Sequence, residues 1–419
     1  MAEEFDRLPT ESSGLLTLPN ELVDQIVRGL SDKDLRNLRV TCKCLSNVTL
    51  EAWKKRARRE RGGLPALEWA AKNNRPSLIN YLLSTFSDME VNSARAGSCS
   101  NPLCLASGLG NNEAVMALIG HGADANYISG ANSALVQAVR RFHNTAVQML
   151  LEAGADPYVL DYAGSNILQA AARRNHAETL QVILDRMEAY PESMPGINDF
   201  NPQGLTALHL ASAAGALSAA ILLLESGADI DAACERSEFV TPLARAVGFS
   251  SPDRVNMVKL LLSWGADVDG RTTGSQSITN FDTPLHIAVQ RELPDIHILV
   301  PILIDNGAAL DVLDKTGFTV LQSVLHNRNI RIMRLILDAG GDVNTVDDGG
   351  SSALHLLASW PITEFTYEAL ILLERRGADK FLVNNAGMTP RDLALQSGWD
   401  PETVEKTWGS SVFIPTTAS

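Results

Sequence analysis

Internal repetition constrains this chain more than any other feature. A six-residue pattern close to Thr-Pro-Leu-His-x-Ala recurs along most of its length. It reads PALEWA from Pro65, NPLCLA from Asn101, SALVQA from Ser133, NILQAA from Asn166 and TALHLA from Thr206. It continues as TPLARA from Thr241, TPLHIA from Thr283, TVLQSV from Thr319, SALHLL from Ser352 and TPRDLA from Thr389. The third position falls at Leu67, Leu103, Leu135, Leu168, Leu208, Leu243, Leu285, Leu321, Leu354 and Arg391, at intervals of 32 to 42 residues. A second landmark, an apolar segment closed by Gly-Ala-Asp or a near variant, trails most repeats. Self-similarity at such a period means stacked units that share their cores, not one globular core.

Each landmark has a structural chemistry. Thr or Ser at the first position caps a helix by accepting a free backbone N–H. Pro at the next suits the first turn, where its missing N–H is no loss. The Leu and following Ala face the stack, and Gly122, Gly154, Gly227, Gly265, Gly307 and Gly377 end a second helix where a left-handed residue is needed. His209, His286 and His355 recur at the fourth position, so they read as structural groups bonding nearby loops. Asp124, Asp156, Asp229, Asp267 and Asp379 belong to the Gly-Ala-Asp landmark and are expected to bond local backbone.

These motifs resemble the ankyrin repeat, whose period is about 33 residues. The resemblance runs from about Gly63 to about Trp399 and implies an all-α solenoid of about ten helix–loop–helix–hairpin units over residues 63–400. The first repeat is weak, as a terminal cap would be, and Arg391-Asp392 suggests a polar cap at the other end. The fourth repeat has a long Pro-containing connection, and the sixth and seventh carry extra loop sequence. Residues 401–419 are expected to be a flexible tail.

Net charge is -14, and it is uneven: residues 1–61 hold 12 Lys+Arg and 10 Asp+Glu, whereas the remainder holds 23 and 39. The acidic balance disfavours nucleic acid or an anionic membrane as main partner. The opening residues lack a signal peptide's basic and apolar regions, and no apolar run is long enough to span a bilayer. Five scattered cysteines, Cys42, Cys44, Cys99, Cys104 and Cys234, read as reduced thiols of an intracellular protein, cytoplasmic or nuclear. No phosphate loop, H-E-x-x-H, G-x-S-x-G or paired C-x-x-C occurs, so neither an enzyme nor a metal or cofactor site is expected.

Beyond a flexible 1–15, residues 16–61 read as a separate module of three short helices with an apolar face that needs a partner. Its Leu18-Pro19-x-Glu21-Leu22, Ile26, Leu30, Asp34-Leu35, Leu38, Cys42-Lys43, Leu45 and Trp53 resemble an F-box. An F-box ahead of ankyrin repeats resembles an arrangement found in filamentous-fungal proteins. The resemblance implies docking to a Skp-type adaptor, and through it a cullin, with Leu18, Pro19, Leu22, Ile26, Leu35 and Leu38 at the interface or supporting it. Val40-Thr41-Cys42-Lys43 departs from the family pattern by one residue. The basic run Lys54–Arg61 reads as a solvated helix face, or else as a nuclear-localisation or nucleic-acid patch.

Target recognition is expected at hairpin tips, from Tyr162, Phe200, Gln203, Glu235, Arg236, Phe239, Lys315 and Phe318, since exposed aromatics and arginines anchor interfaces. The implied function is a substrate-recruiting subunit of a cullin-based ubiquitin ligase. The alternative is a non-catalytic ankyrin scaffold whose N-terminal helices only cap the solenoid.

Overall fold

The computed structural model describes residues 66–85, 89–92, 101–128, 133–234, 241–270, 282–291 and 293–408. The F-box residues Leu18, Pro19, Leu22, Ile26, Leu35 and Leu38 lie outside this set, as do Glu235, Arg236 and Phe239.

Twenty α-helices in ten consecutive pairs make up the described residues, with one isolated β-bridge between Leu313 and Thr319. The pairs are α1 (Ala66–Lys72) with α2 (Pro76–Thr85), α3 (Pro102–Leu109) with α4 (Asn112–Gly120), α5 (Ala134–Arg140) with α6 (Asn144–Glu152), and α7 (Ile167–Arg173) with α8 (Ala177–Ala189). Next come α9 (Ala207–Ala214) with α10 (Leu217–Glu225), α11 (Pro242–Gly248) with α12 (Arg254–Ser263), and α13 (Pro284–Gln290) with α14 (Ile296–Asp305). The last are α15 (Val320–His326) with α16 (Ile330–Asp338), α17 (Ala353–Ala358) with α18 (Glu364–Arg375), and α19 (Pro390–Gln396) with α20 (Pro401–Trp408).

The chain divides into two compact units inside the fourth pair. One holds residues through Ala170 with Gln181–Pro195; the other holds Ala171–Leu180 and everything from Gly196. Within each unit, first helices pack on first helices and second on second. These helices are too short to persist alone, so packing carries them. Leu103 and Leu135 in the first unit, and Leu208, Leu243 and Leu285 in the second, are all but fully buried. Each contributes roughly 1.5–3 kcal/mol of hydrophobic burial.

Caps set where the first helices begin. Ser133, Thr206, Thr241, Thr283, Thr319 and Thr389 each accept a backbone N–H from the first turn. Thr206, Thr319 and Thr389 close reciprocal capping boxes with His209, Gln322 and Asp392. The periodic histidines therefore bond their own caps, and His355 also reaches the Met388 carbonyl through Nε2 at 3.1 Å. Gly122, Gly154, Gly227, Gly265, Gly307 and Gly377 all have φ between 80° and 88°, as the C-cap requires.

Two side-chain ladders join successive repeats. On the hairpin side, Asn126 Oδ1 accepts the Asp156 N–H in the first unit. In the second unit Asn198, Asp231, Asp269, Asp311 and Asn344 do the same for Asp229, Asp267, Ala309, Asp342 and Asp379. On the loop side, donors reach carbonyls that the preceding first helix leaves free: Asn111 to Ala71, His143 to Gly108, Arg291 to Gly248, Asn327 to Val289 and Trp399 to Trp360. Tyr158 stands where the hairpin ladder uses Asn or Asp, and its hydroxyl donates to the Met194 carbonyl in the long fourth connection.

One expectation is corrected. The tail was expected from residue 401, yet Pro401–Trp408 forms the second helix of the tenth repeat. Val404 and Trp408 are buried, and the Trp408 ring lies 6.4 Å from that of Trp399. A helix so polar overall hides its two apolar contacts from a reading of composition. Arg391 is exposed and pairs with Glu405 at 2.9 Å, which suits a polar end cap.

Candidate protein-binding surface

The hairpins share one backbone device. At Asp161, Asn201, Asp314 and Asn384 a side-chain oxygen accepts N–H groups two and four residues on, at 2.7–3.0 Å. Asp347 accepts the N–H of Ser351. The same residues donate their own N–H to the carbonyl four residues on, and Gly164, Gly204, Gly317, Gly350 and Gly387 turn the chain at φ of 71° to 82°. Burial works to raise the Asp314 carboxyl, but hydrogen bonds from Thr316 and Phe318 outweigh it and hold the group below its ordinary value.

Between Asx and Gly this leaves two exposed, variable residues per tip: Tyr162-Ala163, Pro202-Gln203, Lys315-Thr316, Asp348-Gly349 and Asn385-Ala386. A preformed turn presents them at little further entropic cost, which favours binding.

Tyr162, in the first unit, is 63% exposed, with the Arg140 guanidinium 5.6 Å from its ring centroid. In the second unit Gln203 and Lys315 are tip residues, and Lys315 pairs with Asp282 at 3.1 Å. Phe200 is exposed but precedes the turn, on the hairpin arm, where Leu160, Val346 and Val383 take the equivalent place. Phe318 is not at a tip. It is half-buried and its ring lies 5.3 Å from that of His326, which lies 5.3 Å from Trp360 edge-on.

This aromatic strip at the eighth and ninth repeats was not foreseen. His326 and Trp360 lie seven and eight residues past their caps, Thr319 and Ser352; Leu109 and Phe249 take the Trp360 place in the second and sixth repeats, so no single column of the aligned repeats marks the strip.

Among the described residues no group of three His, Cys, Asp or Glu side chains is placed to hold a metal ion. No described helix is long and apolar enough to cross a membrane. Cys104 and Cys234 are buried and take part in no disulfide, and burial pushes Cys104 up to about 11, leaving it protonated and unreactive.

Comparison with known proteins agrees with this geometry. Residues 67–161, 135–234 and 253–347 match the model of ankyrin repeats, and residues 15–54 match that of the F-box domain. The mouse B-cell lymphoma 3 protein homolog is 39% identical over 134 residues, 32% of this chain and 27% of that protein. Human ankyrin repeat and SOCS box protein 16 is 30% identical over 212 residues, 48% and 43% of the two chains. The E3 ubiquitin-protein ligase KEG of Arabidopsis thaliana is 24% identical over 250 residues, 49% and 15%. The chain spans less than half the length of these relatives. The human ASB11 ankyrin repeat domain has a TM-score of 0.46 and 24% identity, covering 58% of this chain and 99% of that one. With ankyrin-repeat matches over more than half its length, the chain belongs to the ankyrin-repeat family, and an F-box domain precedes the repeats.

Proposed function

We propose that this chain is the substrate-recruiting F-box subunit of a cullin-based ubiquitin ligase. Residues 15–54 bind a Skp-type adaptor, and through it a cullin, while the repeats hold a target protein. The observation that carries this reading is the F-box match placed ahead of a protein-interaction solenoid in one chain. The names of two relatives, an ankyrin repeat and SOCS box protein and an E3 ubiquitin-protein ligase, add support.

The chain supplies no transfer chemistry of its own and works inside the cell. It acts by holding target and ligase together, which raises their effective concentration. Target contact centres on the tip residues Tyr162, Gln203 and Lys315, on Phe200, and on the strip of Phe318, His326 and Trp360, with aromatic side chains as anchors.

Co-purification of the full chain with Skp adaptor and cullin tests this. Wild type should retain both, and Leu22→Asp or Ile26→Asp should lose both while the repeats keep their helical signal. A wild-type chain that never retains the adaptor leaves only the scaffold alternative.

A further inference from the structure

The start of α16 and the loop before it carry three arginines that no other described side chain engages. Arg328 precedes the helix, Arg331 and Arg334 follow at three-residue steps, and all three are exposed. None forms an ion pair or a side-chain hydrogen bond among the described residues. Asp295 holds Arg254, and Asp338 of the same helix holds Arg376. Glu364 and Glu368 on the neighbouring α18 pair with none of the three. The three-residue step sets Arg331 and Arg334 on one side of α16, and Arg328 lies in the loop just before its first turn.

The arrangement is locally unfavourable. Arg328 has φ 51°, at the loop position where Gly110, Gly215 and Gly398 supply a positive φ and Asn74, Phe142 and Asn175 also adopt one. A left-handed backbone disfavours an arginine there. Arg331 lies in the first turn, where the backbone dipole repels a cation. Local backbone preference therefore explains neither Arg328 nor Arg331.

An apolar shelf adjoins them. Ile298 and Pro301 stand seven and four residues before Asp305, the last residue of α14, as Arg331 and Arg334 stand before Asp338 in α16. The two helices pack together, Ile298 is 52% exposed, and Pro301 is partly exposed.

We propose that Arg328, Arg331 and Arg334, with the Ile298–Pro301 shelf, dock an Asp/Glu-rich segment of a partner protein that carries an aliphatic anchor. Guanidinium forks match carboxylates in geometry and charge. The shelf suits an aliphatic side chain, which a nucleic-acid backbone lacks. A net charge of -14 also repels an extended polyanion or an anionic bilayer, whereas a short acidic segment meets mainly the local arginines. This surface lies on second helices and the loop before α16, away from the hairpin tips, and does not depend on the ligase reading.

The test is fluorescence anisotropy of the full chain with a labelled peptide of repeated Glu-Glu-Leu. Oligo(dT) and phosphatidylserine–phosphatidylcholine vesicles serve as competitors. Wild type should bind the peptide and release it as salt rises. Arg331→Glu with Arg334→Glu should bind about tenfold more weakly, and Lys72→Glu with Arg75→Glu, in the first unit, should bind as wild type. Arg328→Asn should weaken binding while raising the melting temperature, a split that a structural role would not produce. The proposal is overturned if wild type does not bind, if the Arg331 and Arg334 reversals leave affinity unchanged, or if oligo(dT) or vesicles displace the peptide preferentially.

Discussion

Asn126 joins two hairpins through both ends of its amide: Oδ1 accepts the Asp156 N–H at 2.6 Å, and Nδ2 donates to the Gly154 carbonyl at 2.9 Å. In the second unit Asn344 repeats this arrangement, donating to the Gly377 carbonyl, whereas Asp231, Asp269 and Asp311 at the equivalent positions can only accept. Asn126→Ala should therefore lower stability by about 1 kcal/mol, and Asn126→Asp by less, because the accepted N–H is kept. Urea midpoints of the two variants check the order; equal losses would contradict it.

Gly227 and Gly350 separate backbone strain from collision. Gly227 has φ 87° with open space around a would-be Cβ, so Gly227→Ala should cost only the left-handed conformation, about 1 kcal/mol. At Gly350, φ 71°, a Cβ would lie 2.9 Å from the backbone nitrogen of Asn385 and 2.6 Å from its Oδ1. Gly350→Ala should be the more destabilising by denaturant titration, since backbone must move to admit it.

Trp408 should matter although it lies past the expected end of the repeats. Trp408→Ala should cost about 3 kcal/mol at the solenoid's end by emptying a buried contact beside Trp399. In a stack held by nearest neighbours the loss stays local. Hydrogen exchange should therefore quicken in α19 and α20 and stay unchanged in α9 to α11.

Much of the fold is legible in the sequence because its determinants are local and repeated. Thr206, Leu208 and Gly227 play roles that spacing alone assigns, and the structure places them in a cap, the core and a left-handed turn. The candidate surface is less legible. Tyr162, Gln203 and Lys315 stand at tips because tip position follows from the repeat, but Phe318 turns away from its tip to meet His326. That contact depends on side-chain direction, which spacing does not encode. The helix of Pro401–Trp408 escaped for a related reason, its two buried residues being held by tertiary contacts with earlier elements.

The buried histidines set an acid limit. Burial, opposed by the pull of Asp314 and Asp282, holds His286 below its ordinary 6.5, and burial likewise lowers His355. As pH falls through about 6.5 the unfolded chain takes up these protons first, so their contribution is complete above that value and is lost as pH falls through the lowered folded values. Gln322 and Gln169 bond the cap N–H from the same position, so His286→Gln should keep the cap and shrink the loss of urea stability between neutral pH and about pH 5. An undiminished loss would contradict the assignment.

Calorimetric titration of the full chain with purified Skp-type adaptor tests the central claim most directly. The account predicts saturable one-to-one binding for wild type and none for Leu22→Asp, with unchanged thermal unfolding of the repeats. Absence of binding by a folded wild-type chain, or binding that Leu22→Asp leaves intact, would contradict it.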